Sequence, residues 1–226
     1  MSSHPRKIAI IVAGGSGVRM GGAIPKQFLP LAGKPLLAHT LQAFADAYED
    51  MEIILVLPVA HFGYAGDILQ NFEAAPQVKV VAGGETRFHS VKNGLDQVSG
   101  DAVIFVHDGV RPLVTPALIR RCYEAALLHG SAIPVVPMKD SIRVVHETGN
   151  AAADRERYKM VQTPQTFTAA VLIPAFERPY NPLFTDEASV VEMAGHAIHL
   201  VAGDPENIKI TQPHDLVIAG ALLNSR

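Results

Sequence analysis

The chain has 226 residues, enough for one large or two small domains, with 48% apolar and 18% charged residues and a net charge of −3. That apolar fraction excludes intrinsic disorder. The mild negative charge, with no basic stripe, removes the electrostatic basis for nucleic-acid binding. One cysteine, Cys122, excludes an internal disulfide and points to a reducing, cytoplasmic setting. No apolar run approaches the ~20 residues a membrane helix needs, and no signal or transit peptide is visible at the N-terminus.

In chain order, β-branched apolar runs predict strands over residues 8–12, 53–57, 78–81, 102–107 and 132–136. Helices are expected between them. Residues 35–48 carry Leu37, Leu41, Phe44 and Tyr48 at helical spacing, and residues 90–98 put Val91, Leu95 and Val98 on one face. Residues 115–130 have clear punctuation, with Thr115 as N-cap, Pro116 in the first turn and Gly130 past the end. The alternation predicts a Rossmann-like α/β fold, a mostly parallel sheet with helices on both faces.

After residue 136 the pattern changes. Residues 138–146 read as extended, 147–157 as a charged, turn-rich loop, and 158–162 as a return strand. This is the pattern of an arm, at about 138–162, on a single domain spanning 1–226. Residues 168–176 and 186–194 then read as helices, 197–201 and 207–210 as strands, and 214–223 as a closing helix.

The first strand empties into Ala13-Gly14-Gly15-Ser16-Gly17-Val18-Arg19-Met20. Glycines let backbone N–H groups approach phosphate oxygens. The dinucleotide fingerprint fails, because Met20 stands where its third glycine belongs. The P-loop pattern fails too, because Ala23 stands where its lysine belongs. What remains is a glycine loop flanked by its own cations, Arg19 and Lys26, which suits a polyphosphate. The alternative is a tight turn with two surface cations.

Further blocks follow in order: Gly83-Gly84-Glu85-Thr86-Arg87 with Ser90, His107-Asp108-Gly109-Val110-Arg111-Pro112, Thr163-Pro164-Gln165, Thr185-Asp186-Glu187-Ala188-Ser189 and Asn207-Ile208-Lys209. With the glycine loop and Pro25-Lys26-Gln27-Phe28, this set resembles the IspD family of nucleotidyltransferases, the 2-C-methyl-D-erythritol 4-phosphate cytidylyltransferases. The resemblance covers nearly the whole chain. It implies the nucleotide-diphospho-sugar transferase type of fold, with an arm used in dimerisation. It also implies attack of the methylerythritol 4-phosphate on the α-phosphate of CTP, with loss of pyrophosphate.

The resemblance assigns roles residue by residue. Arg19 and Lys26 would hold the triphosphate and stabilise the transition state. Arg155 and Lys209 would grip the attacking phosphate, with Arg155 favoured over nearby Arg157 by its spacing to Thr163. Arg155 and Ser141 would act across a homodimer, each arm reaching the other subunit's site. Ala13, Gly14, Gly15, Gly17, Gly84, Glu85 and Ser90 would bind the nucleotide. Asp108 would meet substrate hydroxyls or lie near the metal, and its alternative is a turn cap. Arg111 would contact substrate or brace its loop. Thr185 would face the substrate or cap the following helix. Mg²⁺ is implied as cofactor, held mainly by CTP phosphates and water.

The chain departs from the family pattern in Val12-Ala13-Gly14, a form shared with pentitol phosphate cytidylyltransferases, in Ser141 where threonine is common, and in Glu206 where aspartate often stands. The competing functions are therefore a ribitol 5-phosphate cytidylyltransferase, a sugar-1-phosphate nucleotidyltransferase and a non-catalytic CTP-binding module. The ten histidines show no metal-binding spacing, and Cys122 reads as packed rather than reactive.

Overall fold

The computed structural model describes residues 5–14, 24–70, 72 and 78–225. Apolar runs of five residues form the heart of each seven-residue central strand, β1 (Arg6–Val12), β4 (Met51–Leu57) and β6 (Ala102–Asp108). Such runs need cover on both faces. Alternate residues of β1 supply it: Ile8 and Ile10 join one core with Phe88, Val91, Ile104 and Leu172, while Ala9 and Ile11 join the other with Leu41, Phe44, Phe105 and Ile119. The first face is covered by α3 (Arg87–Leu95), α5 (Ala169–Ala175) and α6 (Glu187–Met193). The second is covered by α1 (Leu36–Ala47), α2 (Phe62–Gln70) and α4 (Pro116–His129).

Strand β1 is paired in parallel with β4 on one side and β6 on the other. Beyond β4 lies β5 (Val78–Ala82), also parallel. The order therefore reverses at β1, and the chain enters and leaves a crevice at the carboxyl ends of β1 and β6. Open α/β sheets bind ligands at such a switch point. On the far side, β11 (Gln165–Thr168) is antiparallel to both β6 and β7 (Ser131–Pro137). β10 (Lys159–Val161) and β12 (Leu200–Ala202) also pair with β7. The short β2 (Pro30–Leu31) and β3 (Lys34–Pro35) form a separate ladder. The closing helix α7 (Pro213–Asn224) packs Ala219 with Leu31, Leu36, Val110, Leu113 and Ile210. No described helix is long and apolar enough to cross a membrane.

The expected arm is present in a different register. β8 (Ile142–His146) turns back at Gly149 and pairs with β9 (Gly149–Ala153), and nearly all side chains of this hairpin are exposed. The return strand thus lies inside the stretch read as a polar loop. Its Ala151-Ala152-Ala153 run carries no β-branched signal. Residues 159–161, read as the return strand, pair with the main sheet instead.

Three other expectations shift. The helix expected over 90–98 starts at Arg87, because Thr86 caps it and accepts from His89 N–H. The strand expected over 197–201 forms at Leu200–Ala202. Residues 207–210 are not a strand; side chains rather than a ladder pin them, as described below. Helix α2 and strand β11 are elements that the sequence reading does not name.

The punctuation of α4 holds. Thr115 accepts from Leu118 N–H, and Gly130 ends the helix at φ 80°. That left-handed conformation costs a side-chain-bearing residue about 1–2 kcal/mol. Gly130→Ala is expected to lose about that much in urea denaturation while keeping the native circular dichroism spectrum.

Candidate active site

The crevice at the switch point is a cleft of about 320 Å³. One wall is the end of β1, Val12–Gly14. Another is the turn before α3, Gly84–Arg87, with Ser90. Asp108 and Val110 close the base, and Lys26 and Lys209 stand at the mouth. The structure therefore brings Ala13, Gly14, Lys26, Gly84, Glu85, Ser90, Asp108 and Lys209 together, as the sequence reading expects. Gly15, Gly17 and Arg19 lie outside the described residues.

The end near β1 is shaped by backbone and neutral side chains, with Lys26 and Glu85 as its charged groups. The Gln27 amide, fully buried, donates to the Ala13 carbonyl at 2.9 Å. The Ser90 hydroxyl accepts from Gly84 N–H at 3.1 Å and donates to the Thr86 carbonyl at 3.0 Å. It thereby folds the Gly84 turn against α3. Gly84 must be glycine there, because a Cβ would run into His89 Cβ. Lys26 sits on a 3-10 turn, Lys26–Phe28, whose Phe28 ring stacks on Tyr64 at 4.7 Å. Its Nζ reaches the Ile210 carbonyl at 3.2 Å.

The other end is charged. The Asp108 carboxylate, almost wholly buried at the end of β6, has three cations around it: Lys209 Nζ at 2.9 Å, Arg87 Nε at 3.4 Å and Arg111 Nε at 3.6 Å. Burial pushes this carboxyl up, and Arg87, Lys209 and Arg111 together outweigh it, holding it well below the usual carboxylate range. Behind it, Arg87 grips the buried Glu187 through both guanidinium nitrogens. Burial opposes the charge on both partners. The pull of Glu187 and Asp108 nevertheless raises the pKa of Arg87, and the fork geometry is that of an ionised pair. Arg87, Glu187, His107, Gln27, Thr163 and Asn207 had no role in the sequence reading. Each of them falls inside one of the motif blocks of the sequence, and that membership is the signal that could have found them.

Beside Asp108 and Lys209 a second recess of about 230 Å³ is lined by Arg111, Gln162, Thr163, Thr185 and Asp186. Arg111 braces its surroundings by donating to the Asn207 carbonyl at 2.8 Å. Thr185 is not a helix cap. Asp186 caps α6 and forms a capping box with Ser189. Asp108 is not a side-chain cap either, since its carboxylate faces cations.

Arg155 and Ser141 do not line the cleft of their own chain. Arg155 is exposed on a 3-10 turn and donates to the Lys139 carbonyl at 2.9 Å. Cys122 is fully buried, and burial pushes its thiol up to about 12, so it packs in the core.

A cleft with one end shaped by neutral hydrogen bonds and the other by clustered cations suits a nucleotide and a second phosphate, which is the layout of a nucleotidyltransferase. The comparisons give the branch. The family model described as IspD, 2-C-methyl-D-erythritol 4-phosphate cytidylyltransferase, matches residues 7–225. Proteins of that name from Phocaeicola vulgatus and Bacteroides thetaiotaomicron are each 49% identical to this chain; the matches cover 95% and 96% of it, and 98% and 100% of the relatives. The crystal structure of 4-diphosphocytidyl-2C-methyl-D-erythritol synthase from Anaerococcus prevotii superposes with a TM-score of 0.83 at 26% identity, covering 97% of this chain and 99% of that one. The chain belongs to the IspD family.

The Asp108 shift makes a pH prediction. Its folded pKa lies below the ordinary value of 3.8. The ionised carboxylate therefore contributes stability that is fully present above about pH 4 and is lost as pH falls through the folded value. Asp108→Asn lacks that contribution. The stability gap between wild type and variant should be flat from pH 8 to 5 and narrow below pH 4 in urea melts. A gap that widens on acidification contradicts the assignment.

Proposed function

We infer that this chain transfers the cytidylyl group of CTP to 2-C-methyl-D-erythritol 4-phosphate, giving 4-diphosphocytidyl-2-C-methyl-D-erythritol and pyrophosphate. The observation that carries the reading is the Lys209–Asp108–Arg87 cluster at the switch point of a chain belonging to the IspD family. An oxygen of the acceptor phosphate forms a bond to the α-phosphorus of CTP. The bond from that phosphorus to the bridging oxygen breaks, and pyrophosphate leaves with the electron pair. The nucleophile is already an anion at neutral pH, so no general base is needed. The work is to bring two polyanions into line and to stabilise charge on the transferring phosphoryl group.

Lys26 serves the triphosphate as a point charge, together with Arg19 of the glycine loop. Lys209 serves the acceptor phosphate. Its companion is Arg155, brought with Ser141 by the arm of a second subunit, since neither lines the cleft of its own chain. This makes the working unit a homodimer with shared sites. The nucleotide base lies along Ala13, Gly14, Gly84, Glu85 and Ser90. The cleft offers one buried carboxylate, Asp108, already held by three cations, and no group of three or more metal-ligating side chains occurs among the described residues. These residues fit Mg²⁺ that is bound mainly by CTP phosphates and water, with Asp108 as its protein neighbour. The ion would neutralise phosphate charge. The single buried thiol suits a reducing, cytoplasmic setting.

The test is pyrophosphate release with CTP and Mg²⁺, comparing methylerythritol 4-phosphate with ribitol 5-phosphate. Strong preference for the former is expected. Preference for ribitol phosphate moves the acceptor to the polyol phosphates, and tight CTP binding without turnover makes the chain a binding module. Arg19→Ala and Lys26→Ala should fold normally and each lose about 10²–10³ in kcat.

Light scattering should give a dimer mass. A fully active monomer overturns the shared site.

A further inference from the structure

His107 ends β6 next to Asp108 and is fully buried. Its Nε2 lies 3.3 Å from the Arg111 carbonyl oxygen and its Nδ1 lies 2.9 Å from Thr163 Oγ1. A carbonyl oxygen can only accept, so Nε2 carries the proton and Nδ1 accepts from the Thr163 hydroxyl. The same hydroxyl oxygen accepts Asp108 N–H at 3.1 Å. From Thr163 the chain of bonds continues. Its carbonyl accepts from Asn207 Nδ2 at 2.8 Å, and the Asn207 carbonyl accepts from Arg111 Nη1 at 2.8 Å. The bonds close on themselves: His107, Thr163, Asn207, Arg111 and back to His107.

The ring ties together three segments far apart in sequence, and each carries a wall of the site. Asp108 follows His107 directly. Thr163 lines the recess beside it. Lys209 stands two residues after Asn207 and meets Asp108 at 2.9 Å. The lysine is on no strand, so no ladder sets its position. Burial pushes the His107 imidazole down to about 3, so the ring stays in its neutral form at working pH. Two buried atoms of ring residues, Asn207 Oδ1 and Arg111 Nε, have no hydrogen-bond partner among the described residues.

We propose that His107 is a positioning residue for the acceptor end of the cleft: acting through Thr163 and Asn207, it fixes the segment that presents Lys209 against Asp108. The proposal rests on the cytidylyl-transfer reading and deepens it by naming what sets the place of the acceptor-phosphate lysine.

The experiment measures KM for the acceptor and for CTP, with kcat, in Thr163→Val, Thr163→Ser, His107→Leu and the double variant His107→Leu/Thr163→Val. Thr163→Val should raise the acceptor KM about tenfold or more and leave the CTP KM within about twofold. Thr163→Ser, which keeps the hydroxyl, should stay within about twofold of wild type. The double variant should be less impaired than the two singles combined, because the His107–Thr163 bond is lost in both. Equal rises in both KM values, an additive double variant, or a serine variant as impaired as valine overturns the proposal. If His107→Leu does not fold, the valine and serine pair decides alone. The wild type is assayed with both acceptors in parallel. Turnover of ribitol 5-phosphate alone overturns the functional reading only, and the KM split is then read on that acceptor. Turnover of neither overturns both.

Discussion

The carboxylate of Asp108 is the point on which the rest of the structure turns. A bare carboxylate could not stay ionised at that depth, because burial alone drives it towards the neutral form. Three cations around it reverse the balance, and each comes from a different part of the fold: Arg87 from α3, Arg111 from the loop after β6, and Lys209 from the segment before α7. With Glu187 behind Arg87 and Asp186 beside it, three cations and three carboxylates share one small volume. Asp108 pairs with Lys209 and so keeps the ammonium group in place. A cation held where charge will develop needs no reorganisation when substrate arrives, and that is where electrostatic catalysis gets most of its strength.

The sheet makes this cluster possible. Strands β1 and β6 run parallel, so their carboxyl ends open on the same side, and Asp108 lies opposite Val12 in register. The segment with Lys209 has no ladder to hold it, yet its stem is fixed. Ile210 is fully buried in a small apolar cluster under α7 and donates its N–H to the Val110 carbonyl. A lysine half in solvent thus stands on a buried isoleucine and a buried asparagine.

The parts of this arrangement written locally could be read from the sequence. Uninterrupted apolar runs marked β1, β4 and β6, and Thr115 with Gly130 marked both ends of α4, since each depends on neighbours within a few residues. Features that depend on distant partners were hidden. β9 is a run of alanines that becomes a strand only because β8 is beside it. β11 is four residues long and owes its place to the edges of β6 and β7. Residues 207–210 alternate like a strand, but their hydrogen bonds go to the Gln162 and Arg111 side chains and to the Thr163 and Val110 carbonyls. In the site, Lys26, Asp108 and Lys209 meet as their motifs implied. The Arg87–Glu187 pair spans 100 residues, and nothing local announces it. Arg155 and Ser141 could be named from their motif, but they do not line the cleft of their own chain.

The two ends of the cleft rely on different physics, and this divides selectivity from rate. Near β1 the hydrogen bonds that shape the wall are neutral: the Gln27 amide on Ala13, the Ser90 hydroxyl on Gly84, and backbone between them. Neutral hydrogen bonds at a closed surface discriminate because a wrong partner leaves a buried group unpaired. They are short-ranged and nearly indifferent to salt. Near Asp108 the groups are charged, and Lys209 is partly open to solvent. Charges attract any phosphate of suitable size, act over about a Debye length, and weaken as ionic strength rises. On the proposed assignment, the end near β1 chooses the base and the end near Asp108 holds the acceptor phosphate. Discrimination among acceptors must then come from the uncharged surface around Asp108, where Thr163 and Thr185 line the recess, rather than from the cations that bind the group all candidate acceptors share.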